Sequence, residues 1–420
     1  MRPFERMVRE HGHVTRRYFL GTGAAGLAGV QLAGALDSPR DVPPALAEAV
    51  AGMEFLTRKE DFKYLPTRED PAPETFSPKK RRETGLDPET WELEVVPDPG
   101  SNAKLEHVMS KELGTALNWN GLMALAKTKA VRFISVMTCT NVAQPEGVGL
   151  WEGVPLRDVV WMARPVANVR RVFYSGYHND DPKQLFQSSL TMSRVLEEPP
   201  GELPVILCYK MNGEWLTPKL GGPVRMIVPG SYGNKSIKWL QRVVLTNNYQ
   251  LNDTYAGWNN DTESPMKTCA RFAHVPEKAR AGEALAVTGF AQVGLSGLSK
   301  VQYWICPKDA PLPADDPYFS AADWKDATIL PPPEDWGGGL PGGKLPPVPL
   351  QIDPASGKPY EWPMRWAVAH WAALIDGLAP GRYLLRCRTI DGKGIAQPMP
   401  RPLPKTGHNK IQQVEIVVEA

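Results

Sequence analysis

Val131-Arg-Phe-Ile-Ser-Val-Met-Thr-Cys139-Thr-Asn141 reads as a buried apolar strand that runs into a short polar loop. Strand exits are where a rigid scaffold presents its chemistry. Of the five cysteines in the chain, Cys139 is the one at such an exit. Its thiol admits four roles: an inert buried side chain, a nucleophile, half of a disulfide, or a soft ligand to a redox metal. The nucleophile role needs a base, for which His178 in Tyr174-Ser-Gly-Tyr-His178-Asn-Asp180 is the candidate. Spacing leaves all four open.

Upstream, Trp91, Leu93 and Val95 alternate with glutamates, the pattern of a half-buried strand, and ordered chain is expected to begin there. Leu105 to Lys129 reads as helical pieces, and Pro155 to Trp161 as a short helix with proline in its first turn. Arg171–Ser175, Pro204–Tyr209, Pro223–Val228 and Trp239–Leu245 are strand-like, with Asn212-Gly213 marking a tight turn. Beyond Cys269 come Ala284–Ala291, Lys300–Ile305, Gly381–Arg388 and Ile411–Glu419, strands with no long helices between them, which argue for a β-sandwich. Pro307 to Pro363, rich in Pro and Gly, reads as one long surface insertion. Whether Cys306 and Cys387 bridge within the sandwich strands stays open.

A chain of 420 residues is too long for one ordinary core, so two domains are expected. A net charge of +2 leaves no general electrostatic footprint for nucleic acid. Arg16-Arg17 followed by Phe19-Leu20 and a Gly/Ala-rich run to Ala35 has the form of a twin-arginine export signal. Glycines at 21, 23, 26, 29 and 34 argue against a spanning helix. That route carries folded proteins, so it points to a periplasmic location and a cofactor loaded beforehand. No Cys-x-x-Cys-His occurs, which excludes covalent c-type haem, and an odd number of cysteines leaves at least one outside any intramolecular disulfide. The reading divides the chain into a signal (1–36), an irregular charged segment (37–88), an oxidoreductase domain (89–267) and a sandwich (268–420). Within the second part, Lys79-Lys80-Arg81-Arg82 reads as a solvated basic face.

The order of several short segments resembles the sulfite oxidase family of molybdenum-cofactor enzymes. They are Cys139-Thr-Asn141, Val154-Pro-Leu-Arg-Asp-Val159 and Ser175-Gly-Tyr-His-Asn-Asp-Asp-Pro182, then Tyr209-Lys-Met-Asn-Gly213, Gly222-Pro-Val-Arg225, Val228-Pro-Gly230 and Ile237-Lys-Trp-Leu240. The resemblance spans about residues 90 to 420. It implies an α+β chain, with a mixed α/β molybdenum-cofactor domain followed by an immunoglobulin-like β-sandwich that dimerises. It implies Cys139 as the molybdenum ligand, alongside the dithiolene of a molybdopterin. Arg225, Ser236 and Lys238 match positions binding the pterin and its phosphate, a role suited to guanidinium, hydroxyl and ammonium groups. Asn179 or Asp180 matches an acidic position at the pterin. Asn141, His178 and Tyr177 are candidate pocket residues.

Departures fall on the substrate side. An arginine that faces the oxyanion in family sulfite enzymes is Gln144 here, and its loss removes a charge-assisted contact worth roughly 1.5–3 kcal/mol. The acid/base tyrosine falls near Thr262, with Tyr255 the nearest upstream tyrosine and Trp258 retained. A cofactor-contacting histidine is replaced by Leu220, and the loop from Cys139 to the helix at Leu156 is short. The implied activity is two-electron oxygen-atom transfer, oxidising sulfite or a related sulfur compound, with a small-molecule substrate and a separate electron carrier such as a c-type cytochrome or a membrane quinol protein. A sulfoxide-type reductase and a non-catalytic cofactor-binding homologue are the alternatives.

Overall fold

The computed structural model describes residues 44–139, 144–166, 168–198, 202–255, 261–312, 314–316, 318–397 and 409–420. The export signal, Asn141 and Trp258 lie outside the described residues.

In the first half the strands are β1 (Glu92–Pro97), β2 (Leu117–Asn118), β3 (Val131–Met137), β4 (Gly147–Pro155) and β5 (Arg171–Gly176). They continue as β6 (Gln187–Thr191), β7 (Ile206–Met211), β8 (Glu214–Trp215), β9 (Arg225–Ile227) and β10 (Leu240–Thr246). One sheet has the order β2-β1-β10-β5-β6, with β1 and β10 parallel and the other pairs antiparallel. The second has the order β3-β4-β7-β8, with β9 beside β7. Five helices are described: α1 (Pro44–Ala51), α2 (Pro78–Glu83), α3 (Trp119–Lys129), α4 (Leu156–Met162) and α5 (Met192–Leu196). The helical pieces expected from Leu105 onward reduce to α3.

Strands β3, β4 and β7 of the second sheet are largely buried, with a core on each face of β7, which is why β3 and β7 read as near-continuous apolar runs. Along β7, Leu207 and Tyr209 join Trp91, Leu93, Val95 and α4 in one core. Ile206, Cys208 and Met211 face a second core with Phe133 and Trp151. The β7–β8 hairpin turns at Asn212 (φ 51°) and Gly213 (φ 82°), as the Asn-Gly pair predicts.

Three expectations need correction. The stretch between Cys139 and Leu156 is mostly a strand, β4, and every residue of it is buried. Its glycines hid it from a propensity reading, yet one is required. A Cβ on Gly153 would sit 2.3 Å from the Leu207 carbonyl oxygen. Second, ordered chain begins well before Trp91. Segment 52–77 has little regular structure, but it buries Phe55, Leu56 and Phe62. The basic run does lie on exposed turns of α2, capped by Ser77.

Third, segment 307–363 is no surface insertion. It contains a strand, and it sends Trp336, Leu340 and Ile352 into the core beneath the second sheet. Proline and glycine prevent long ladders without preventing burial of widely spaced apolar side chains. This segment also braces the outer edge of β3. Gln351 accepts from the Ile134 amide (2.8 Å) and donates to the Ile134 carbonyl (2.7 Å). The Leu350 amide donates to the Arg132 carbonyl, and the Val136 amide to the Trp366 carbonyl.

The second half contains β11 (Cys269–His274), β12 (Lys278–Arg280), β13 (Leu285–Gln292), β14 (Lys300–Pro307), β15 (Lys325–Ile329), β16 (Val368–Ile375), β17 (Gly381–Ile390) and β18 (Gln412–Glu419). β11-β13-β16 and β14-β17-β18-β12 are joined through β15, which pairs with both β14 and β16. Ala270, Val287 and Trp371 from one side meet Val301, Leu385 and Ile416 from the other, so the two halves close into a sandwich. Cys306 lies opposite Leu384 and Cys387 opposite Tyr303, and both are thiols. Among the described residues no helix is long and apolar enough to cross a membrane.

Candidate cofactor cleft

Cys139 lies two residues beyond β3 and is 9% exposed. The Thr138 carbonyl accepts from the Gly233 amide (2.5 Å), which stitches the strand exit to the turn Gly233–Lys235. Between them opens a cleft of about 140 Å³. Cys139, Arg225, Ser236 and Lys238, separated by up to a hundred residues of chain, all line it.

Arg225, at the start of β9, is buried. Its terminal nitrogens donate to the carbonyls of Leu220 (2.8 Å) and Ser236 (2.9 Å). Its Nε is buried with no hydrogen-bond partner among the described residues. Ser236 Oγ accepts from the Val228 amide (3.0 Å), leaving its own proton available to a ligand. Lys238 Nζ donates to the Leu65 carbonyl (3.3 Å) and lies 4.3 Å from the centre of the Tyr64 ring. Burial, then the neighbouring Arg225 charge, lowers its pKa to about 8. Asn234 Oδ1 is also buried with no partner among the described residues.

This donor set fits an anionic cofactor with a thiophilic metal. A buried guanidinium with an unused N–H, a hydroxyl and an ammonium group suit a phosphate, and a single soft sulfur suits a metal such as molybdenum. Among the described residues no group of three or more His, Cys, Asp or Glu side chains is arranged to hold an ion. A metal here would therefore bring most of its ligands with it, as one held by a dithiolene does.

The loop that holds Ser236 is fixed from below. Lys235 is fully buried, and its Nζ donates to Asp253 (2.5 Å) and to the Ser189 carbonyl (2.9 Å). Both Asp253 carboxylate oxygens are used, since Ser188 and Ser189 donate to it at 2.6 and 2.5 Å. Two residues on, Tyr255 lines the cleft and packs edge-on to Phe186. One buried ion pair thus sets two cleft walls.

Other expected residues fall elsewhere. His178 is not on the cleft wall; its Nδ1 lies 3.2 Å from Glu69 Oε1. Asn179 is tied to Gln184 (2.9 Å) and Asp180 is exposed at φ 70°, and neither lines the cleft. The acidic position expected there is met instead by two carboxyls that sequence reasoning missed, Glu69 and Glu146. Burial raises the pKa of Glu146, against the pull of Arg225 and Lys238. Gln144 points out of the cleft, its Oε1 accepting from Lys63 (2.9 Å). A different cation, Arg68, lines the cleft with its Nη2 anchored on the Lys183 carbonyl (2.7 Å). Thr262 is not on the wall, whereas Tyr255 and Tyr177 are. Burial, then Glu69 and Asp180, raises the Tyr177 pKa and keeps its hydroxyl a donor. No local signal marked Arg68 and Glu69, which sit in an aperiodic charged stretch. Glu146 had a faint one, as an acidic residue opening an apolar run.

Comparison with known proteins agrees with this donor set. Residues 83–254 match the oxidoreductase molybdopterin binding domain. The chain is 29% identical over 184 residues to mitochondrial sulfite oxidase of Mus musculus, covering 41% of this chain and 31% of that protein. It is 34% identical over 97 residues to the NADPH nitrate reductase of Pichia angusta, covering 23% of this chain and 11% of that one. The match thus spans less than a third of either relative's own length. Among solved structures, the sulfane dehydrogenase SoxCD from Paracoccus pantotrophus superposes with a TM-score of 0.53 at 16% identity. That likeness covers 92% of this chain and 95% of that one, and it extends the shared fold through the sandwich.

Proposed function

We propose that this chain, whose residues 83–254 match the oxidoreductase molybdopterin binding domain and which is similar to sulfite oxidase, is an exported enzyme that oxidises sulfite or a related reduced sulfur compound. The observation that carries this reading is the meeting of Cys139 with Arg225, Ser236 and Lys238 in one cleft. Bound there, the molybdenum cofactor would supply two-electron oxygen-atom transfer. Cys139 holds the metal side, and Arg225, Ser236 and Lys238 neutralise and orient the phosphate side. Arg68 gives an approaching oxyanion a cation, and Tyr177 and Tyr255 offer hydroxyls at the same wall. Electrons leave to a separate carrier such as a c-type cytochrome. The sandwich serves as an immunoglobulin-like dimerisation domain.

A second reading, reduction of a sulfoxide-type substrate, is favoured by two observations. Gln144 is engaged with Lys63, and Glu69 adds an acidic group to the cleft wall, an arrangement that suits a neutral substrate better than a dianion.

Molybdenum and pterin content of the purified protein tests the cofactor; their absence would refute both enzyme readings. Rapid-mixing reduction by sulfite, set against reoxidation by a sulfoxide, decides the direction. Replacing Arg16-Arg17 by two lysines should strand the protein in the cytoplasm, and unaltered export would refute the twin-arginine route.

A further inference from the structure

Glu146 immediately precedes β4, and it lines the cleft with the groups assigned to the cofactor's phosphate. It is 7% exposed. A Cβ placed on Gly233 would stand 3.2 Å from Glu146 Oε1, so the carboxyl lies close beside the turn that leads to Ser236. A carboxylate in an anion cradle is a conflict, because a dianion and a buried carboxylate repel each other strongly at low local dielectric.

The groups around it are mainly cationic. Arg225 of β9 and Lys238 of the segment before β10 line the same cleft and the same small adjoining void as Glu146. Lys219, from the turn Pro218–Leu220, shares with it a small void bounded by Lys63 and Tyr64 of the N-terminal segment. The Lys63 amide donates to the Glu146 carbonyl, while its ammonium is turned to Gln144. Glu74 acts on Lys238 from further out. Cys139, Arg68, Glu69, Tyr177 and Tyr255 belong to the remaining walls of the cleft.

We propose that Glu146 is the cradle's own counter-ion, a carboxylate that balances Arg225 and Lys238 until an anion displaces it, so that filling the site is coupled to proton uptake. The proposal rests on the reading of Arg225, Ser236 and Lys238 as the phosphate cradle. In the empty site one negative charge serves two buried cations. When a dianion arrives at Arg225 Nε, Ser236 Oγ and Lys238 Nζ, the carboxylate becomes redundant and repulsive. It takes a proton from solvent and remains as a neutral acid. Burial already favours that protonated form.

The test uses full-length protein made in cells that cannot synthesise the cofactor, with sulfate as a probe because its charge is constant from pH 5.5 to 7. Calorimetry should show wild-type sulfate affinity falling as pH rises. Glu146→Gln should bind sulfate roughly tenfold more tightly at pH 7, the scale of one charge-assisted contact, and should lose most of the pH dependence. Glu146→Ala should show the same sign if the glutamine variant folds poorly, with thermal unfolding as the check. Weaker binding by both variants, or an unchanged pH dependence, overturns the proposal. Lys238→Gln should weaken sulfate binding in either background. If it has no effect, the cradle assignment itself fails, an outcome distinct from failure of the Glu146 role.

Discussion

His178 Nδ1 meets Glu69 Oε1 at 3.2 Å although the two residues are 109 positions apart. Glu69 is buried, and its other carboxylate oxygen has no partner among the described residues. The pair therefore fastens the N-terminal segment Leu65–Glu69, one wall of the cleft, to the loop that follows β5. His178→Ala should loosen that wall at a modest cost in stability, about 1 kcal/mol for the lost hydrogen bond. In cofactor-free protein the reaction of Cys139 with a thiol reagent should become faster. An unchanged labelling rate would show that the wall is held by other contacts.

Cys139→Ser separates a metal ligand from an inert thiol. The side chain is nearly isosteric, so unfolding free energy should change by no more than about 1–2 kcal/mol. Molybdenum content should nevertheless fall to background, because a hydroxyl is a hard and weakly acidic donor. A variant that kept its molybdenum would remove the central assignment.

The Lys235–Asp253 pair is buried, and breaking one side leaves an uncompensated buried charge. Asp253→Asn or Lys235→Met should each cost roughly 3–5 kcal/mol in denaturant unfolding. The double change Lys235→Met with Asp253→Leu should recover much of that loss. The double variant should still bind cofactor poorly, since the turn carrying Ser236 would have lost its anchor. A double variant whose cost equalled the sum of the two single costs would argue that the residues act independently.

His370 supplies a pH dependence of known sign. Burial lowers its pKa from the ordinary 6.5 to about 4, beside Phe55 at 5.4 Å. Below pH 6.5 the unfolded chain takes up a proton that the folded chain refuses. Stability is therefore complete above pH 6.5 and drains away as pH falls toward 4, by up to about 3 kcal/mol from this group. Urea unfolding at pH 7 and pH 4.5 should show the loss, and His370→Gln should flatten it. An equal pH slope in the variant would assign the effect to other groups.

Much of the first domain was legible because its local signals agree with its global pairing. Trp91, Leu93 and Val95 alternate and are all buried. Asn212-Gly213 demands a left-handed turn and makes one. Cys139, Arg225, Ser236 and Lys238 were identified from short ordered segments, and the fold gathers them into one cleft. What stayed hidden has a physical cause in each case. The β4 strand is written with glycines because Leu207 approaches too closely for a side chain at Gly153. Arg68 and Glu69 reach the cleft on an extended segment without period. Asn179 and Asp180 lie off the cleft wall, with Asp180 exposed in a left-handed conformation that no spacing in the sequence signals.

The strand that delivers Cys139 is the outermost of its sheet, and its free edge is filled by Gln351 and Trp366 rather than by another strand. The sulfur's position is thus underwritten by chain more than two hundred residues downstream. The oxidoreductase half is therefore no portable cassette. A graft ending at the domain boundary near residue 267 would carry the thiol without the scaffolding that aims it. Variation in the Pro-rich segment, remote from the cleft in sequence, becomes a route to retuning the metal centre.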